Sequence, residues 1–169
     1  MDIESFNSLT YGFYAVASGD SNKKGVYICT VVAQVTAIPP KLMIACNKDN
    51  FTAEIIKDTK KFSVSVLKQN CTPTTIGNFG FRTGKDFNKF EQANFIYGEE
   101  TGCPIILNDS IAWFECQLEG TFDVGTHFLF VGNVLQAKAI DEDETPLTYK
   151  YYHEIKKGVT HKNAPSYNK

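Results

Sequence analysis

Residues 111–139 read IAWFECQLEGTFDVGTHFLFVGNVLQAKA. Ile111–Phe122 and Thr126–Ala139 are two long strand-forming runs, and the turn Asp123-Val124-Gly125 between them predicts a β-hairpin. Working back from it, Lys61–Leu67 (KFSVSVL) alternates with period two, setting Phe62, Val64 and Val66 on one face and Ser63 and Ser65 on the other. Leu42–Cys46 (LMIAC) is a shorter apolar run, preceded by the stop signal Pro39-Pro40. Val26–Val35 (VYICTVVAQV) is β-branched and uncharged, which predicts one strand covered on both faces. Tyr11–Ser18 predicts a further strand, running into the turn Gly19-Asp20-Ser21-Asn22.

Helix signals are fewer and shorter. Asp49 or Asn50 before Phe51–Asp58 offers an N-cap, Thr72–Phe79 opens on Thr-Pro, and Asp86–Gln92 predicts a third short helix. Thr148–Lys169 is aromatic and basic at first (YKYYHEIKKG) and reads as a surface arm without a core of its own. The βαβ alternation of a doubly wound sheet is missing, so the prediction is a mainly β chain, a barrel with helical lids, forming one domain over 1–169.

Composition narrows the function classes. Of 169 residues, 43% are hydrophobic, which suits a folded core, and no run reaches the ~18–20 apolar residues of a membrane span. A net charge of −2 argues against nucleic acid as a partner. Five widely spaced cysteines (29, 46, 71, 103, 116) without a CxxC argue against a disulfide framework or a zinc site. With no signal-peptide pattern at the start, the expected address is the cytoplasm.

Acid–base and nucleophilic constellations are absent: there is no GxSxG elbow, no HxxxH or HxH, and no phosphate-binding glycine loop. Cys46 and Cys116 alternate with apolar neighbours and read as buried, inert thiols. Three features stand out instead. Asn47-Lys48-Asp49-Asn50-Phe51-Thr52 follows a buried strand and opens a helix, whose N-terminus favours anions. Arg82-Thr83-Gly84-Lys85 with Asn88-Lys89-Phe90 is a cationic, aromatic loop, and His127 stands at a strand start beside Gly125-Thr126. Each has an ordinary alternative: a plain N-cap, a solvated loop, a surface histidine.

Taken in order, these segments resemble the flavin reductase-like family, whose fold is an FMN-binding split β-barrel. The resemblance extends over nearly the whole chain and is greatest to its flavoredoxin, small ferric-reductase-like and high-molecular-weight-rubredoxin branch. It is carried by LTYGFY at 9–14, GVYICTVVAQVT at 25–36, Pro39-Pro40, Asn47–Thr52, FSVSVL at 62–67, FGFRTGKD at 79–86 with Asn88-Lys89-Phe90, Gly125-Thr126-His127, and a tail with YYHEIKKG at 151–158 and Ala164-Pro165.

The resemblance implies that Cys29, Thr30 and Val31 pass under an isoalloxazine ring. Cys29 stands where that branch commonly has Asn, which implies a backbone contact. It further implies a phosphate and ribityl site at Asn47, Lys48, Asn50 and Thr52, and a closing cationic loop of Lys89 with Lys85 or Arg82. His127 would lie near flavin or nicotinamide, and Tyr152 or Tyr151 would cover the flavin from the arm. The implied activity is hydride transfer from NADH or NADPH to FMN, then to free flavin, ferric iron, oxygen or a protein acceptor. An electron-transfer module reduced by a partner such as rubredoxin is the alternative, since the same fold hosts both. A pyridoxamine-phosphate-oxidase-like reading lacks its arginine-rich site. The implied assembly is a homodimer.

Overall fold

A computed structural model describes residues 1–167 of the chain. After a short 3-10 helix at Ile3–Ser8, the elements are β1 (Tyr14–Gly19), β2 (Lys24–Cys29), β3 (Val32–Ala37), β4 (Pro40–Asn47), α1 (Phe51–Thr59), β5 (Lys61–Leu67), α2 (Pro73–Gly80), β6 (Phe95–Tyr97), β7 (Pro104–Ile106), β8 (Ser110–Asp123), β9 (His127–Ala139) and α3 (Tyr149–Glu154). Strands dominate, as the periodicity predicts. Seven of them form one sheet in the order β2-β1-β5-β8-β9-β4-β3, and β6 and β7 form a separate pair.

That order explains the barrel. The first and last strands of the sheet, β2 and β3, are neighbours in sequence, so the sheet has to curl until its two edges meet at Thr30-Val31. Where they meet, the Ala45 amide donates to the Val31 carbonyl (3.1 Å), while the Tyr27 hydroxyl (3.1 Å) and the Cys29 thiol (3.3 Å) donate to the Ala45 carbonyl. No continuous ladder joins β2 to β4, which is the split of a split barrel.

The predicted single strand Val26–Val35 is therefore two strands. Residues on either side of the Thr30-Val31 corner pair with different partners, β2 with β1 and β3 with β4. The expectation that it is covered on both faces holds for β2 and fails for β3, an edge strand whose residues 33–37 are exposed. The predicted helix Asp86–Gln92 is a series of turns. Lys89 and Phe90 both point inward there, and the Asn88 side chain accepts the Phe90 amide (3.1 Å), a local bond that competes with a helix.

The long hairpin forms as predicted, with Phe114 opposite Ala137 and Phe122 opposite Leu129, and bulges after Glu115 and Leu118 that bend it around the barrel. Its turn is closed by Gly125, whose φ of 99° suits a residue without a Cβ and whose amide donates to Asp123. Val16, Ile44, Phe62, Val64, Cys116 and Phe130 fill the barrel interior. Ala15, Ala17, Val26 and Leu67, on the opposite face, pack against Ile76 and Phe79 of α2, Ile106 of β7 and Tyr152 of α3. The arm is thus not without a core. Thr148 caps α3, and Tyr152 is buried with its ring 4.6 Å from that of Phe13. Residues 168 and 169 of the expected arm lie outside the described residues. No described helix is long and apolar enough to cross a membrane.

Candidate functional site

The seam between β2 and β4 forms the floor of the principal cleft, a cavity of about 420 Å³. Cys29 and Ala45 lie on that floor, Asn47, Asp49, Asn50 and Phe51 form one wall, Phe79 to Gly84 the other, and residues 161–165 of the arm close one side. The α1 wall is built by local polar chemistry. The Asn50 side chain accepts the Thr52 amide (2.9 Å), and the Asn47 side chain accepts the Asp49 amide (2.9 Å), fixing the entry into the helix.

Lys89 dominates the electrostatics. It is buried, and its ammonium donates to the Val26 carbonyl (2.8 Å) and the Phe79 carbonyl (2.7 Å), tying β2 to α2. An ammonium has three donors, so one proton remains, and Lys89 makes no ion pair among the described residues. Burial lowers its pKa to about 8. Arg82, the only arginine in the sequence, lies 4.2 Å over the Phe87 ring at the cleft edge.

Cys29 donates its thiol to the Val31 carbonyl (3.2 Å) as well as to Ala45, and burial pushes its pKa up. Its side chain is occupied by the seam, leaving only its backbone for a ligand. Burial likewise pushes Cys116 up to about 12 and raises the thiols of Cys46, Cys71 and Cys103, so none of the five is a ready thiolate.

Of the residues singled out in the sequence, the fold brings Cys29, Asn47, Asn50, Arg82 and Lys89 to this one cleft. Lys85 lines an adjoining cavity that also reaches Lys89. Val31 and His127 lie in a groove on the far side of the arm, and Thr30 is bonded to Ser166 of the arm (3.2 Å). Lys48 turns away from the cleft to Asp123 (2.6 Å). Thr52 is buried beneath α1, so close to β2 that a Cβ on Gly25 would stand 2.7 Å from its hydroxyl. Tyr152 belongs to the core and not to the cleft, because its ring fills the space between Phe13 and Gly158.

His127 is held on both sides. Its Nδ1 pairs with the Thr126 hydroxyl (2.8 Å), and its Nε2 donates to the Asn163 carbonyl (3.1 Å), since a carbonyl can only accept. His161 is the cleft residue that sequence reasoning passed over. The path of the arm alone brings it to Phe81, ring centroids 5.6 Å apart, and no spacing signal announces it. Burial first, then Lys162 and Lys89, lower its pKa.

The sequence profile of the flavin reductase like domain matches residues 6–156. A high molecular weight rubredoxin from Moorella thermoacetica is 35% identical over 99% of this chain and 72% of its own length. A ferric-chelate reductase (NAD(P)H) from Archaeoglobus fulgidus is 37% identical over 99% of this chain and 98% of its own. Among solved structures, the NADH:FAD oxidoreductase of Streptomyces globisporus C-1027 superposes with a TM-score of 0.77, at 23% identity over 86% of this chain and 84% of that one. Profile, relatives and architecture agree with the split barrel derived from the strand order: the chain belongs to the flavin reductase-like family.

Proposed function

We propose that this protein is an NAD(P)H-dependent flavin oxidoreductase that binds FMN in the cleft over the barrel seam. The observation that carries this reading is Lys89, a buried cation with an unspent donor and no carboxylate partner among the described residues. A charge taken out of water is retained where an anion completes its shell, and a phosphate does so. The residues present fit the group. Lys89 with Arg82 and Thr83 would hold the phosphate, Asn47 and Asn50 the polar chain, and the backbone at Cys29 the edge of the ring. Bound flavin supplies the hydride-accepting chemistry, which requires no protein base.

The chain's own part is positioning and exclusion of water. Phe51, Phe79 and Phe81 wall the cleft, and the arm closes one side. His127 acts through the arm as a positioning residue by holding the Asn163 carbonyl. NADH or NADPH is the donor, in keeping with the ferric-chelate reductase relative, and the rubredoxin relative supports a redox protein among the acceptors. Five free, buried cysteines suit a reducing cytoplasm.

The assembly we infer is a homodimer through the outer face of β3, β4, β8 and β9. Met43, Leu129 and Val131 lie there only half-buried, beside Phe122 at 57%, Val124 at 54% and Val35 at 45% exposure.

Anaerobic stopped-flow mixing of the flavin-loaded protein with NADH, then NADPH, tests the activity. Rapid bleaching near ~450 nm with either is the expected result. If dithionite bleaches the flavin and neither nicotinamide does, the protein is an electron carrier reduced by a partner.

A further inference from the structure

Two imidazoles grip Asn163 from either side of its Cα. Its carbonyl accepts Nε2–H of His127 (3.1 Å), and its amide donates to Nδ1 of His161 (3.2 Å). The two contacts leave the rings in opposite conditions. His127 spends its Nε2 proton on the arm. His161 has to keep Nδ1 unprotonated, because a backbone amide can only donate, so its neutral ring carries the proton on Nε2. That Nε2–H has no hydrogen-bond partner among the described residues, although His161 is only partly exposed and lines the principal cleft.

The surroundings fix both the pose of this ring and its charge. Edge-to-face contact with Phe81, at 73° between the ring planes, holds the imidazole, and the Ala164 amide donates to the His161 carbonyl (2.9 Å) to close the turn that carries it. A second proton on the ring would have to displace the Asn163 amide from Nδ1. Burial opposes that proton, as do the neighbouring cations Lys162 and Lys89. Of the other charged groups lining the cleft, Arg82 acts in the same sense and Asp49 against it. His161 is thus built as a neutral donor. A phosphate is matched by Lys89 and Arg82, whereas a neutral N–H matches a neutral acceptor such as a carbonyl oxygen. Ile28, Thr30 and Ala164 share a small cavity with His161, which puts the ring beside the seam corner, next to the backbone of Cys29.

We propose that His161 presents a fixed Nε2–H donor to a carbonyl oxygen of the bound flavin's ring system and thereby tunes how readily that ring is reduced. This rests on the flavin reading of the cleft. Reduction places negative charge on the ring, and a preoriented donor is worth more to an acceptor that gains negative charge. The donor therefore holds the reduced ring more tightly than the oxidised one.

The flavin-free full-length wild type, His161→Phe and His161→Gln are titrated anaerobically with FMN and with riboflavin, each oxidised and dithionite-reduced. His161→Phe should weaken oxidised FMN and riboflavin alike by about fivefold, the loss of one neutral hydrogen bond. The reduced forms should lose about fivefold more, because the bond is then charge-assisted, and that further factor lowers the two-electron potential by about 20 mV. His161→Gln keeps an N–H donor and should restore most of both. Equal losses in the two oxidation states, with an unchanged potential, reduce His161 to packing and overturn the proposal. So does a loss for FMN that riboflavin does not share, which places His161 at the phosphate. Imidazole nitrogen NMR of the flavin-free wild type needs neither variant nor ligand. The Nε2–H tautomer is expected at neutral pH, and an Nδ1–H tautomer or an imidazolium overturns the proposal. A wild type that shows the expected tautomer and binds neither flavin overturns the flavin reading of the cleft, and the proposal with it.

Discussion

Lys89 does two jobs that pull its protonation in one direction. Its ammonium ties Val26 to Phe79 through their carbonyls, and the same charge faces two cavities. Burial destabilises the charged form and lowers its pKa to about 8, so the desolvation cost is borne in full below that value and relieved as the pH rises through it. An anion reverses this by favouring the ammonium. FMN binding should therefore take up a proton above pH ~8, with the dissociation constant rising up to about tenfold per pH unit there. Asp49, Arg82 and Lys162 also line the cleft, as does His161, whose lowered pKa leaves it neutral throughout that window. Calorimetry in buffers of different ionisation enthalpy measures the proton directly. Lys89→Met should abolish the uptake and lower stability by about 2 kcal/mol by leaving two buried carbonyls without their donor. Proton uptake persisting in that variant would place the titrating group elsewhere.

Among the elements, the arm is the one whose role depends most on partners distant in sequence. It is anchored by Tyr152 in the core, by Ser166 on Thr30 and by the Asn163 carbonyl on His127. His127→Phe removes the last of these, and a bond of about 1 kcal/mol implies a rise of roughly fivefold in the flavin dissociation rate, measurable by fluorescence recovery after dilution. An unchanged rate would show that the arm does not retain the ligand. The long hairpin, β5 and α1 were legible in sequence because their signals are local: a turn glycine, a period of two, and a capping pair Asp49-Asn50 of which Asn50 serves. The corner at Thr30-Val31 was not, because β-branched residues continue through it and its cause is strand pairing on opposite edges of the sheet. The direction of Lys89 was hidden for a similar reason. One of its carbonyl partners lies 63 residues away. Asn47, Asn50 and Arg82 were found as cleft residues from their loops, whereas the turn of Lys48 toward Asp123 depends on the β8–β9 hairpin.

For the whole molecule, the exposed apolar face predicts association. Phe122 is registered against Leu129 on the outer surface, and Phe122→Glu should convert a dimer to a monomer in light scattering without altering the circular dichroism. A wild-type monomer retaining its flavin would remove that inference. The barrel also has a built-in weak line. Where β2 meets β4, two side-chain hydrogen bonds to the Ala45 carbonyl, with the Ala45 amide bonded to Val31 at the corner, stand in for a ladder, and the cleft floor lies across them. A ligand resting on that floor clamps the two edges together, so occupancy and local opening are thermodynamically linked. The Ala45 amide should accordingly exchange with deuterium far more slowly in the loaded protein, by a factor that follows free ligand concentration, while amides of the β5–β8 ladder change little. The split thus makes the barrel a clasp: the molecule registers whether it carries its cofactor in how readily its own wall breathes.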